Sequence, residues 1–170
     1  MKIENNILDK KNLNKIQNIM QGNESEFAWF YNDAIVYKDD IDKFQFTHSF
    51  YRRSNVGIVH SPFIEQLNSI LELIQPVSIF RIKANLLTRT SNIVENALHV
   101  DIPNISEKEL KQWTTSIFYV NTNNGYTKFE DGTKVESVAN RMVTFPANLK
   151  HCGTSCTDKK IRVVINFNYQ

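Results

Sequence analysis

The chain has 170 residues, 41% hydrophobic and 11% aromatic, which is the length of one domain and enough to bury a core. Its 20 basic and 18 acidic residues leave a net charge of +2 with no long run of either sign, so charge asks for neither a nucleic acid nor an anionic membrane surface. No window approaches the roughly 18 apolar residues of a membrane helix, and the opening MKIENNILDKKNLNKI lacks an apolar core of signal length, so a cytoplasmic protein is expected.

Residues 7–21 place Ile7, Leu8, Leu13, Ile16, Ile19 and Met20 at helical spacings, a ragged pattern that a loop would also satisfy. Residues 26–37 (EFAWFYNDAIVY) and 44–51 (FQFTHSFY) read as strands, the second with Phe44, Phe46, His48 and Phe50 on one face. The plain role of His48 and Trp29 there is sheet packing. Ser61-Pro62 opens the main helix, with Ser61 as N-cap and Phe63, Ile64, Leu67, Ile70, Leu71 and Ile74 as its apolar stripe; Gln75-Pro76 ends it.

From Val77 onward the pattern is β. Residues 79–87 form a strand, 88–97 a polar loop, and Ser106 with Glu109 three residues later caps a short helical turn within 106–113. Residues 114–121 form a strand with Thr115, Ile117 and Tyr119 on one face. Asn123-Asn124-Gly125 turns the chain, and Asp131-Gly132 signals a hairpin. A strand over 137–145 returns to a loop holding His151, and the last strand, over 161–167, carries Arg162 near its start. Seven or eight short strands with one main helix predict a mainly β domain, an antiparallel sandwich or open barrel with the helix outside.

Three side chains stand out chemically. His99 and Asp101 are two apart, so on an extended segment they share a face. With His151 they make two imidazoles and a carboxylate, the set that leaves three positions of an octahedral Fe(II) open. Cys152 and Cys156 lie close by, but two cysteines form neither a disulfide framework nor a paired zinc spacing, and free thiols are expected.

His99-x-Asp101, a distal His151 and Arg162 eleven residues further on, together with the strand Ile117-Phe118-Tyr119-Val120-Asn121, resemble the Fe(II)/2-oxoglutarate-dependent dioxygenases, and among them the prolyl-hydroxylase-like branch. The resemblance covers residues 79–169; the stretches FAWFYN and FQFTHSFY look like the small single-domain members of phage genomes, which would place the protein in the host cell cytoplasm. It implies a double-stranded β-helix, the jelly roll shared with cupins, as one domain over 1–170. Residues 1–78 would support that core and shape the substrate side.

It also implies a ligand set of His99, Asp101 and His151 for iron, and Arg162 for the distal carboxylate of 2-oxoglutarate, where a guanidinium fork suits a buried carboxylate better than a lysine point charge. Tyr119 matches a tyrosine that hydrogen-bonds the same carboxylate. Asn85 falls where the branch has another co-substrate-binding tyrosine, and Val164 where relatives carry serine. Strand alternation turns Asn166 and Asn168 inward with Arg162, which makes Asn166 a further candidate for holding the co-substrate. The implied activity uses Fe(II), 2-oxoglutarate and O2 to hydroxylate a C–H bond, with a peptidyl proline or another amino-acid side chain as the first substrate class, and yields succinate and CO2. A nucleic-acid demethylase of the same chemistry is less compatible with the near-neutral charge. A non-catalytic, cupin-like metal-binding module is the alternative of a different class.

Overall fold

The β pattern of the last strand organises the molecule. In the computed structural model, which describes residues 1–22, 26–36, 43–54 and 57–170, that strand is β11 (Ile161–Tyr169). Its two neighbours are β5 (Ile79–Thr88) and β6 (Thr114–Tyr119), both antiparallel to it. Val163, Ile165 and Phe167 point to one side, and Arg162, Val164 and Asn166 to the other. Both sides are covered, so the strand is buried on each face.

Outward from this centre, β6 pairs with β9 (Arg141–Pro146) and β9 with β1 (Lys2–Asn5). On the other flank β5 pairs with β3 (Gln45–Ser54), which carries both β2 (Phe30–Asn32) and β4 (Gly57–His60). A smaller sheet, ordered β10-β7-β8, consists of β7 (Tyr126–Phe129), β8 (Lys134–Glu136) and β10 (His151–Gly153). Phe129 and Val135 of the small sheet pack onto Ile117, Tyr119, Val143, Phe145 and Val164 of the large one. Two antiparallel sheets closed over a shared interior are the jelly roll that the sequence leads one to expect.

Helices cover the other face of the large sheet. Helix α1 (Lys10–Gln21) begins where the Asp9 carboxylate accepts from the Asn12 amide at 2.8 Å, and its Ile16 and Met20, one turn apart, are buried against the sheet. A 3-10 turn (Ile64–Leu67) runs into α2 (Asn68–Ile74), adding Leu67 and Ile70 to the same layer. Each such side chain withdrawn from water contributes about 1.5–3 kcal/mol.

Several expectations need correction. The helix expected from Ser61 winds first as a 3-10 turn and becomes α-helical only at Asn68, so among the described residues the longest helix is α1. The Ser61 hydroxyl does accept from the Phe63 amide, at 3.1 Å, yet it is also tied at 2.8 Å to Nε2 of buried His48 in β3. The strand expected over 26–37 shrinks to Phe30–Asn32: Phe30 and Tyr31 are 62% and 65% exposed, so no alternating burial extends it, and Tyr37 lies outside the described residues. Eleven strands occur among the described residues, more than expected, because the edge strands β1 and β4 bury too little to leave a pattern. The segment over 137–145 is a strand only from Arg141, after Asn140 in a left-handed conformation (φ 65°) whose amide clasps Leu8. Ser106 and Glu109 form the capping box, at α3 (Glu107–Leu110).

Candidate metal centre

His151 lies in β10 and not in a loop, and this placement builds the site. Its backbone exchanges two hydrogen bonds of 3.0 Å with His99, an isolated antiparallel bridge that sets the imidazoles side by side with ring centroids 5.1 Å apart. Each ring gives its Nδ1–H to a carbonyl two residues back, His99 to Ala97 at 3.0 Å and His151 to Leu149 at 3.2 Å. A carbonyl only accepts, so each Nδ1 carries a proton, and in that tautomer of the neutral ring Nε2 is the nitrogen with the lone pair.

Those two Nε2 atoms face the Asp101 carboxylate, His99 at 3.9 Å from Oδ1 and His151 at 3.9 Å from Oδ2. Both separations exceed hydrogen-bond length. All three ligand atoms lie within 4.8 Å of one another, so three acceptors converge with no donor between them, an arrangement matched to a cation. Burial pushes the Asp101 carboxyl up, but the Arg81 guanidinium leads the influences that outweigh it and hold the group well below the usual carboxylate range. Burial lowers the His151 pKa despite Asp101, which keeps the ring neutral. Both are in the protonation states that metal binding needs.

The carboxylate is oriented from behind. Arg81 Nη2 donates to Oδ1 at 3.2 Å and to the Asp101 carbonyl at 3.0 Å, while Asn168 and Asn166 donate to Oδ2 at 3.1 and 3.2 Å. Sequence reasoning missed Arg81, although its signal was present: Arg81, Lys83 and Asn85 alternate with Ile82, Ala84 and Leu86 along β5. The first set borders the interior and the second joins the helix layer.

Arg162 lines the same cavity as His99, Asp101 and His151. It is 3% exposed, donates from Nε to Ser137 Oγ at 2.8 Å and from Nη2 to Thr127 Oγ1 at 3.3 Å, and has no carboxylate in ion-pair range among the described residues. Burial lowers its pKa, but a guanidinium stays charged, and an uncompensated buried charge costs several kcal/mol. Bare backbone makes room for it. A Cβ on Gly125 would lie 2.6 Å from the Ser155 carbonyl and 2.8 Å from Arg162 Cδ, and one on Gly153 would lie 3.2 Å from Nη1.

Asn85 and Asn166 also line the cavity, each with a buried side-chain oxygen that has no partner among the described residues. Tyr119 does not. Its hydroxyl donates to Thr127 Oγ1 at 2.8 Å, so it meets Arg162 through that shared threonine and by its ring, whose centroid is 5.8 Å from the guanidinium carbon. Cys152 and Cys156 are unpaired and buried, and burial raises both thiols, which leaves them protonated and poor ligands. The double variant Cys152→Ser/Cys156→Ser is expected to bind one divalent metal per chain as the parent does, checked by metal analysis after dialysis; loss of the metal would bring a thiol into the ligand set.

No protein-family model and no curated protein matches the sequence. Solved structures match the fold over nearly the whole chain. A prolyl hydroxylase from Trichoplax adhaerens, in complex with an oxygen degradation domain peptide of hypoxia inducible factor, aligns with a TM-score of 0.68 at 14% identity, covering 99% of this chain and 82% of that one. An oxidoreductase of the 2OG-Fe(II) oxygenase family from Burkholderia pseudomallei gives 0.63 at 10% identity, over 96% and 81%. HygX from Streptomyces hygroscopicus, with nickel and 2-oxoglutarate bound, gives 0.61 at 7% identity, over 98% and 81%. At such identities the likeness is one of fold.

Proposed function

We propose that this protein is an Fe(II)- and 2-oxoglutarate-dependent oxygenase that hydroxylates a C–H bond. One observation carries the reading: a single cavity holds both the converging ligand atoms of His99, Asp101 and His151 and a buried Arg162 without a counter-ion among the described residues. A divalent cation would satisfy the first and a carboxylate the second. A five-carbon dicarboxylate that chelates the metal at one end and reaches the arginine at the other satisfies both. The jelly roll shared with oxygenases that carry these names, one of them holding 2-oxoglutarate, supports the assignment.

Bound iron would supply O2 activation coupled to oxidative decarboxylation, so that one substrate C–H, one O2 and one 2-oxoglutarate become one C–OH, one succinate and one CO2. The chain's own residues prepare the site. His99, Asp101 and His151 would hold the metal, and the backbone bridge between the histidines, with the Nδ1–H contacts to Ala97 and Leu149, fixes which nitrogen faces it. Arg81, Asn166 and Asn168 keep Asp101 ionised and turned inward. Arg162, steadied by Ser137 and Thr127, would bind the distal carboxylate, and Ile117, Leu87 and Val164 form the apolar wall that limits water around it. Asn85 and Asn166 would offer their unpartnered oxygens to the co-substrate's ordered water or to substrate.

For the substrate we favour a peptidyl proline or another amino-acid side chain over a methylated nucleic acid, on the net charge of +2. Supplying Fe(II), 2-oxoglutarate and air should yield succinate above a metal-free control, and a mass gain of one oxygen on the substrate in cell extract. Binding of 2-oxoglutarate with no succinate would mark a non-catalytic module instead.

A further inference from the structure

Lys83 stands on β5 directly across from Asn166, facing the cavity that contains Asp101 and Arg162. Its ammonium has no hydrogen-bond or ion-pair partner among the described residues. It is a cation on the wall of that cavity with no anion bonded to it among the described residues. Burial, then Arg81, lowers its pKa to about 8, against the pull of Asp101, so its charge is held at a cost that an incoming anion would relieve.

Charge balance says whose anion that is. Arg81 and Asp101 cancel as an ion pair, and Arg162 and Lys83 remain. A divalent metal adds two positive charges and dianionic 2-oxoglutarate removes two. The loaded site therefore keeps two uncompensated positive charges, and one of their bearers, Lys83, stands apart from Arg162: along β11 the partner of Lys83 is Asn166, which donates to Asp101, whereas that of Leu87, four residues on, is Arg162. The distal carboxylate of the diacid is thus served beside Leu87, and Lys83 stands four residues away, at the level of the residues that hold Asp101.

Resting on the oxygenase reading, we propose that Lys83 is a specificity-determining residue that binds a carboxylate of the primary substrate, which makes the substrate class an acidic side chain or a small molecule with a carboxylate near the hydroxylated carbon. Asn166 Oδ1, whose orientation is set because Nδ2 is given to Asp101, offers an acceptor alongside for a donor on the same molecule. A neutral proline ring would leave Lys83 unpaired, so a peptide substrate would carry its acidic group next to the reacting residue.

The test uses protein loaded with Mn(II) and 2-oxoglutarate without oxygen. Doubly blocked aspartate and glutamate are titrated against doubly blocked asparagine and glutamine, with binding followed by calorimetry and by relaxation of the ligand protons near the metal. The acids should bind at least about tenfold more tightly than the amides. Lys83→Gln should abolish that preference and Lys83→Arg should retain part of it, with the Kd values for Mn(II) and 2-oxoglutarate within about threefold of the parent in both. No preference for the acids in the parent overturns the inference, and so does a Lys83→Gln variant whose main defect is weakened 2-oxoglutarate, which would assign Lys83 to the co-substrate. A parent that fails to bind 2-oxoglutarate at all overturns the oxygenase reading first, and this inference with it.

Discussion

Arg162→Ala is expected to weaken 2-oxoglutarate binding by a hundredfold or more while leaving metal affinity nearly unchanged. The guanidinium is buried beside the neutral hydroxyls of Ser137 and Thr127, and the cavity's other unpaired cation among the described residues, Lys83, stands opposite Asn166 and not at this point. Breaking a buried ion pair from one side costs about 3–5 kcal/mol, well over two decades in Kd. Arg162→Lys should recover only part, since a single ammonium cannot reproduce the two-pronged contact, and the hydrogen bonds that now fix the side chain through Nε and Nη2 would be lost with it. Oxygen-free titration of 2-oxoglutarate into the iron-loaded variants reads this directly; agreement with the parent within about threefold would reduce Arg162 to a structural residue.

Asp101→Ala should remove metal binding and with it all 2-oxoglutarate turnover. Asp101 is the one anionic member of the ligand cluster, and it is also the common acceptor for Arg81, Asn166 and Asn168. Its removal strands buried donors at about 1–3 kcal/mol each, so part of the effect would be lower stability. Asp101→Asn separates the two. It keeps the shape and loses the charge, and it should unfold at a temperature closer to that of the parent while metal affinity falls by at least about a hundredfold, more than the loss of an outer partner would cost. Succinate formation at the parental rate in either variant would sink the triad.

His99, Asp101 and His151 stand out in the sequence less by the two-residue step, which recurs by chance, than by their order with Arg162 and the strand around Tyr119, and β11 is legible because Val, Ile and Phe crowd it beyond a loop of Gly, Ser and Asp. The capping box at Ser106 reads well because it is a local device with its partners three residues apart. What is not legible is long-range. His151 sits in a run of Asn, Lys, Gly and Ser that favours a loop, and it becomes a strand only because Phe129, Lys128 and Thr127 pair with it across the small sheet. The alternation of β5 marks Arg81 as inward-facing but not its partner, which is supplied when folding brings Asp101, twenty residues on, into its reach. Tyr119 shows the opposite limit: the strand that contains it was expected and is present, but Thr127 takes its hydroxyl, so the residue stands behind Arg162 and outside the cavity.

A metal and a dicarboxylate that share one cavity should bind cooperatively, and calorimetry without oxygen measures that coupling. Titrated into the parent protein, 2-oxoglutarate should bind with one equivalent per chain when Fe(II) is present, and at least about tenfold more weakly when it is absent. Equal affinity with and without iron, or no binding in its presence, would contradict it.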